Sequence, residues 1–355
     1  MTDIKIKQIQ EFLCEGDAAL ISSDENRLYL TGFESSAGTL FITKETPYFI
    51  IDFRYIEVAK RSLPFLNVIL QTQGNADLVA LAKDNGIKRV LVETDRMSID
   101  TFAAYKETLG DMLSSCDCLT KHLTKIRAVK EDYELESIKE AQRLTDETFS
   151  YILERIEEGR TEREIMLEME FYMRKLGSEG AAFDFIVVSG KNSSLPHGVP
   201  TDKKIEKGDF ITMDYGAIVN GYRSDMTRTV AVGCASDEMK KVYETVAAAQ
   251  NAAFEKIKAG VDCFSVDKAA RDLIYGAGYE GCFGHGLGHS VGVEIHEYPN
   301  FNARCHHILQ KGNIMTVEPG IYLENKFGVR IEDMVYVTEN GFINLTKSNK
   351  DLIIL

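Results

Sequence analysis

The stretch DFITMDYGAIVNGYRSDMTRTVAV, residues 209–232, places Asn220-Gly221 between two strand-like runs. Asn and Gly accept the positive φ values of a type I′ turn, so the dipeptide predicts a tight two-residue hairpin. Pairing outward from that turn sets Asp225 opposite Gly216. Asp214 lies two residues from Gly216 on the same strand and so on the same face. The two carboxylates become diagonal neighbours, about 7 Å apart at the backbone, a gap suited to cations. Either Asp alone reads more readily as a solvated strand residue. Two on one face are harder to dismiss, because Asp is depleted in strands and crowded carboxylates raise each other's pKa unless a cation compensates.

Around the hairpin a pattern occurs twice. Helices are predicted over 131–157 and 162–176, the second opened by the capping box Thr161 to Glu164 and stopped by Gly177. The strands FDFIVVS (183–189) and the hairpin follow. Two further helices, 237–258 and 265–275, precede the strand-like runs IMTVEPGIYL (314–323) and GVRIEDMVYVT (328–338). Two helix-pair-plus-sheet halves imply a pseudo-symmetric α+β domain with its site between the halves. Upstream, AALISS, RLYLTGF, GTLFIT, YFIID and RVLVET read as strands, and DLVALAKDNGI and SIDTFAAYKETLG as helices, an α/β domain. The basic segment 119–130 closes it, giving expected domains of 1–124 and 125–355.

A chain of 355 residues suits two domains with sizeable cores. Its 55 acidic against 41 basic residues, a formal charge of -14, would repel nucleic acid. The first 20 residues carry no apolar core of a secretion signal, and no run approaches the ~20 apolar residues of a spanning helix, so neither nucleic acid nor a membrane is expected as partner. Seven scattered cysteines suit a reducing cytoplasm; Cys116 and Cys118 form a lone CxC, expected as idle or buried thiols rather than a metal site.

Three of the seven histidines, His285, His289 and His296, fall within GHGLGHSVGVEIHEYP (284–299). The glycines at 284, 286, 288 and 292 argue against a regular helix and let the backbone approach a ligand closely. Glu318 and Glu332 sit in otherwise apolar runs, where a bare charge would be costly to bury; each could also be an exposed strand residue. Together, four carboxylates and one imidazole match two dications with a bridging hydroxide. Oxygen-rich ligation with one nitrogen favours Mn, Co, Fe or Zn.

The motifs MDYGAIVNGYRSDMTRT, PHG, GHGLGHSVGVEIHEYP, TVEPGIY and GVRIED together resemble the pita-bread metallopeptidases, in the branch of aminopeptidase P and prolidase. The likeness covers 125 to the end; the first third resembles the creatinase-type N-terminal α/β domain more weakly, through RLYLTGF and IDFRY. The resemblance implies two divalent metal ions, manganese foremost, on Asp214, Asp225, His289, Glu318 and Glu332. It gives His285 and His296 supporting and substrate roles, puts His197 at the site rim and places Arg330 beside Glu332. The methionine aminopeptidases share fold and ligands but ordinarily lack the equivalent of His285 and the long N-terminal domain.

The implied reaction is hydrolysis of the bond preceding a proline at position two of a peptide, with Glu318 as proton shuttle. Prolidase action restricted to dipeptides is the nearest alternative, and Arg304, either a solvated loop residue or an anchor for a dipeptide carboxylate, bears on it. A non-catalytic metal-binding interaction protein and a creatinase-type amidinohydrolase are further readings. The family resemblance also implies a homodimer, in which Arg54 and Tyr55 of IDFRY could face the partner.

Overall fold

The computed structural model describes residues 2–355, in two compact units, Met1–Ile126 and Arg127–Leu355. The first unit is built on a mixed sheet of β1 (Asp17–Ile21), β2 (Thr39–Thr43), β3 (Pro47–Ile51), β4 (Asn67–Leu70), β5 (Arg89–Val92) and β6 (Leu113–Ser114), in the order β4-β3-β2-β1-β5-β6. Helices α1 (Thr2–Phe12), α2 (Asp24–Thr31), α3 (Ile56–Ser62), α4 (Ala76–Asp84) and α5 (Ile99–Leu109) connect or flank its strands. Strand β1 is buried along its whole length, parallel to β5 and antiparallel to β2. That two-sided burial explains its unbroken apolar run.

Two expectations fail in this unit. RLYLTGF is helix α2, not a strand. Ser23 caps it by accepting from the Asn26 N–H, Asp24 and Glu25 occupy the first turn, and Gly32 ends it in the left-handed region at φ 65°; these end signals override a short apolar run. Cys116 and Cys118 form a disulfide rather than idle thiols, since their Cα atoms lie 5.4 Å apart, within bridging range. In IDFRY, Arg54 pairs with Asp52 at 2.6 Å and the Tyr55 hydroxyl lies 2.9 Å from Ser36 Oγ.

Helix α6 (Cys118–Ala128) leads into the second unit, which opens with α7 (Asp132–Leu153) and α8 (Glu162–Lys175). The predicted capping box of α8 is present in both directions between Thr161 and Glu164. Strands β7 (Ile186–Ser189), β8 (Phe210–Tyr215), β9 (Ile218–Val219), β10 (Tyr222–Arg223) and β11 (Met226–Ala231) follow, with β8 central between β7 and β11. Helices α7 and α8 pack on this sheet through Ile152, Ile165, Met169, Val187, Ile211 and Met213. Each such side chain, fully buried, contributes about 1.5–3 kcal/mol of hydrophobic stabilisation.

The second half repeats the plan with α9 (Asp237–Phe254), α10 (Cys263–Gly276) and the strands β12 (Gly288–Ser290), β13 (Glu297–Phe301), β14 (Ile314–Val317), β15 (Gly320–Leu323), β16 (Phe327–Arg330), β17 (Asp333–Val337) and β18 (Phe342–Asn344). Val246, Val266, Ile274, Met315, Val317 and Val335 share its core. The runs 314–323 and 328–338 are each two strands rather than one. β14 and β17 pair within a larger sheet, whereas β15 and β16 form a separate ribbon with Gly320 opposite Arg330. Glu318 and Glu332 fall at the two points where the chain leaves one sheet for the other. Among the described residues no helix is long and apolar enough to cross a membrane.

Candidate metal centre

The hairpin has the expected register. Val219 pairs with Tyr222, Tyr215 with Met226 and Asp214 with Thr227, while Asn220 and Gly221 adopt φ of 51° and 76°. The ladder is interrupted at Gly216, where a Cβ would stand 1.8 Å from the Ser224 carbonyl oxygen. Only glycine permits that approach. Asp214, Thr227 and Asp225 therefore share a face, and β11 carries that face against the second half, where the Glu332 N–H donates to the Thr227 carbonyl at 3.1 Å.

Asp225, His289 and Glu332 are buried, with potential ligand atoms all within 4.8 Å of one another. His289 Nε2 lies 3.5 Å from Asp225 Oδ2 and 3.4 Å from Glu318 Oε1. Its Nδ1 lies 3.1 Å from the Ser290 carbonyl, which can only accept, so Nδ1 carries the proton and Nε2 turns a lone pair toward the carboxylates. Asp214 accepts from Arg330 Nη2 at 2.7 Å through Oδ2, while its buried Oδ1 has no hydrogen-bond partner.

The electrostatics describe a donor set short of positive charge. Burial, then Glu332, Asp214 and Glu318, push Asp225 well above the usual carboxylate range. Burial, then Glu318 and Asp214, do the same to Glu332. Glu318 is pushed up to about 8, chiefly by burial, with Arg330 opposing and Asp214 adding. His289 is pushed down to about 3 by burial and by His296. A divalent ion among these donors would relieve the repulsion, engage the idle Asp214 oxygen and meet the Nε2 lone pair. The residues fit oxygen-rich, single-imidazole ligation.

The remaining expected residues surround this cluster. Asp214, Asp225, His285, His289, His296, Glu318, Arg330 and Glu332 all line one cavity of about 790 Å³ that His197, exposed on its loop, also borders. His296 places its ring 4.4 Å from that of His289. His285 is engaged at both nitrogens: Nδ1 lies 2.8 Å from the Gly286 carbonyl, and Nε2 lies 2.9 Å from the Tyr322 hydroxyl. Burial and then Arg330 push it down to about 4, so Nε2 accepts the Tyr322 proton while Arg330 Nη1 donates to that hydroxyl at 2.8 Å. Arg304 is exposed and lies outside the lining.

Sequence reasoning missed three supporting hydroxyls. Thr227 donates to Glu332 at 2.7 Å and accepts from Arg330 Nε at 3.0 Å; Thr316 accepts the His289 N–H at 3.0 Å and reaches Glu318 Oε1 at 3.3 Å; Tyr322 links Arg330 to His285. Thr227 was detectable, being two residues from Asp225 on one face. Thr316, two residues before Glu318, offered the same spacing, and Tyr322 lies in the TVEPGIY motif without a spacing that singles it out. Gly286 and Gly288 line the cavity, and the glycines also serve the fold: Gly288 lets the backbone meet the Thr316 carbonyl and Gly292 makes room for the Glu297 carboxylate.

A sheet-to-sheet α+β unit closing four carboxylates and an imidazole around one cavity defines a divalent-metal hydrolase site. The chain belongs to metallopeptidase family M24, whose model matches residues 136–339, preceded by the creatinase/prolidase N-terminal domain at 6–129. It is similar to the Xaa-Pro dipeptidase of Pyrococcus horikoshii, 35% identical with 98% of each chain covered. Among solved structures it resembles an Xaa-Pro dipeptidase from Bacillus anthracis, 39% identical, TM-score 0.95, with both chains covered in full. It also resembles an X-Pro aminopeptidase from Thermotoga maritima, 37% identical, TM-score 0.90, over 98% of this chain and 100% of that one. The creatinase-type domain followed by a pita-bread catalytic domain is thus as expected, and the protein is a metallopeptidase that uses divalent metal and acts on peptides.

Proposed function

We propose that this enzyme is an Xaa-Pro peptidase, hydrolysing the bond between the N-terminal residue of a peptide and a following proline. In this reading Asp214, Asp225, His289, Glu318 and Glu332 hold two divalent ions, manganese foremost, with Co, Zn or Fe as alternatives. The observation that carries the metal assignment is the buried donor set itself, with an unpartnered Asp214 oxygen and an imidazole lone pair facing carboxylates. The proline specificity is supported by the similar proteins named above.

When bound, the metals supply a water of lowered pKa and polarise the scissile carbonyl. Glu318, steadied by Thr316, takes the attacking water's proton and passes it to the leaving proline nitrogen. His296, exposed in the cavity beside His289, donates to the developing oxyanion. Arg330 orients Asp214, and through Tyr322 fixes the ring of His285 on the cavity wall. His197 contacts the substrate from the rim.

Restriction to dipeptides is an equally supported variant, because similar proteins carry both names. A split into 1–124 and 125–355 is supported by the compact units parting two residues later. We carry forward a homodimer and a cytoplasmic location, supported by the family resemblance and by free thiols at Cys14, Cys234, Cys263, Cys282 and Cys305.

Chelation followed by manganese add-back tests the reading. Hydrolysis of Ala-Pro is expected to vanish and return, and activity that survives complete metal removal would overturn the metal mechanism. Comparing Ala-Pro with Ala-Pro-Ala then decides substrate length.

A further inference from the structure

We infer that Glu162, which does not itself line the cavity, is a positioning residue for the wall of the site that carries His197. This rests on the peptidase reading above. Glu162 is the first residue of α8 and fully buried, an unusual place for a carboxylate at a helix start that could have faced solvent. Its environment explains the burial. Oε1 accepts from the Ser189 N–H at 2.6 Å, the Ser189 hydroxyl at 3.0 Å and Asn192 Nδ2 at 3.1 Å. Oε2 accepts from the Thr201 N–H at 3.0 Å, the Thr201 hydroxyl at 2.7 Å and Asn192 Nδ2 at 3.3 Å. One carboxylate therefore gathers both ends of the segment 189–201.

What that segment displays is the reason to assign the tie to function. Between its tethered ends the chain makes a short 3-10 turn, Gly190–Ser194, and then Leu195-Pro196-His197-Gly198. The turn is stitched to β16: Ser193 Oγ accepts the Gly328 N–H at 2.9 Å, and a Cβ on Gly328 would stand 2.2 Å from the Ser193 carbonyl oxygen. Two residues along β16, Arg330 donates to the Pro196 carbonyl at 3.1 Å while also holding Asp214. The loop is thus pinned at its ends by Glu162 and at its middle by β16. Pro196, His197, Gly198, Val199 and Pro200 all line the cavity. Gly198 leaves no slack, since a Cβ there would meet Val188 Cγ1 at 2.7 Å.

A carboxylate that accepts several bonds at once holds its donors in a fixed geometry, and withdrawing it leaves each to find another partner. The donors here lie on the loop, not on the metal ligands. The expected consequence of releasing them is a loosened substrate wall around an intact donor cluster.

The test compares wild type with Glu162→Gln, Glu162→Ala and the milder Asn192→Ala and Thr201→Ala, each metal-loaded and assayed on Ala-Pro. Glu162→Ala is expected to raise KM about tenfold with kcat within about twofold and metal content unchanged. The single-tie variants should raise KM by smaller factors, which keeps the test open if Glu162→Ala folds poorly. In a double-mutant cycle His197→Ala should add little to Glu162→Ala, because both act at one wall. Hydrogen exchange over 190–200 should quicken in Glu162→Gln while exchange over 212–216 is unchanged. This arm needs no turnover, so it separates failure of the positioning role from failure of the peptidase reading. Unchanged KM in the folded variants, additive effects with His197→Ala, or unchanged exchange over the loop would each overturn the inference.

Discussion

Arg330 Nη2 donates to Asp214 Oδ2 across 2.7 Å and leaves Asp214 Oδ1 as the buried oxygen without a hydrogen-bond partner. The guanidinium thereby fixes which oxygen of Asp214 is available, and its other nitrogens hold Thr227, Tyr322 and the Pro196 carbonyl. A lysine keeps the charge but has one nitrogen in place of a planar fork. Arg330→Lys is expected to lower metal affinity or kcat/KM about 10–100-fold, read by metal titration and by hydrolysis of Ala-Pro. A variant indistinguishable from wild type in both would contradict the role of the fork.

Chelated protein should become less stable as pH rises from about 6.5 to 8, taking the unfolded histidine value as the lower edge. Glu318 has a folded value of about 8, above its unfolded one, so the folded state binds its proton more tightly. That advantage is fully present below the unfolded value and is lost as pH climbs through the folded one. Asp225 and Glu332, also raised, act in the same direction. His289 and His285, lowered to about 3 and about 4, act oppositely but only below the unfolded histidine value. Thermal melts of the chelated enzyme should show a falling Tm across this window, and manganese should abolish the fall. A flat profile without metal would refute the repulsion argument.

Glu297 lies buried between Arg127 and Lys130, whose Nζ stands 3.1 Å away and also donates to Ser290 Oγ at 2.9 Å. Against the cost of burial, Lys130 and Arg127 hold the Glu297 carboxyl down to about 2. Glu297→Gln leaves two buried cations underpaired and should cost about 3–5 kcal/mol in urea unfolding. Because the folded value lies below the unfolded one, this contribution is present above the unfolded value and lost as pH falls toward 2. The variant should accordingly show a shallower loss of stability in acid than wild type.

Gly216→Ala places a methyl group 1.8 Å from the Ser224 carbonyl oxygen. Both are backbone-anchored, so the strands must part. A loss of at least about 1–3 kcal/mol is expected, together with weakened metal binding, because Asp214 and Asp225 flank the pried-apart step. Retained metal affinity in a destabilised variant would show that the two carboxylates do not depend on the closure of the hairpin.

Local signals were enough wherever one segment decided its own geometry. Asn220-Gly221 set the register of the hairpin, and with it the common face of Asp214 and Asp225, because a two-residue turn leaves one pairing. The capping box at Thr161 and Glu164 set the start of α8 in the same way. RLYLTGF misled because four or five apolar residues fit either period, and its Ser23 and Gly32 end signals carried the answer. The sheet change at Glu318 and Glu332 was hidden for a related reason: the runs are apolar on both sides of each break, so composition shows no corner.

The amino-acid sequence by itself determined the hairpin, the two repeated halves and the types of side chain available for a metal centre, since periodicity and turn chemistry are properties of neighbours in the chain. Only the tertiary structure decided that those donors converge, that Thr227, Thr316 and Tyr322 hold them, and that Glu162 ties down the His197 loop. The physical reason is that burial and hydrogen-bond partnership between residues as far apart as Glu162 and Ser189, 27 positions, or Thr227 and Glu332, 105 positions, depend on how helices and sheets pack, which no window of sequence contains.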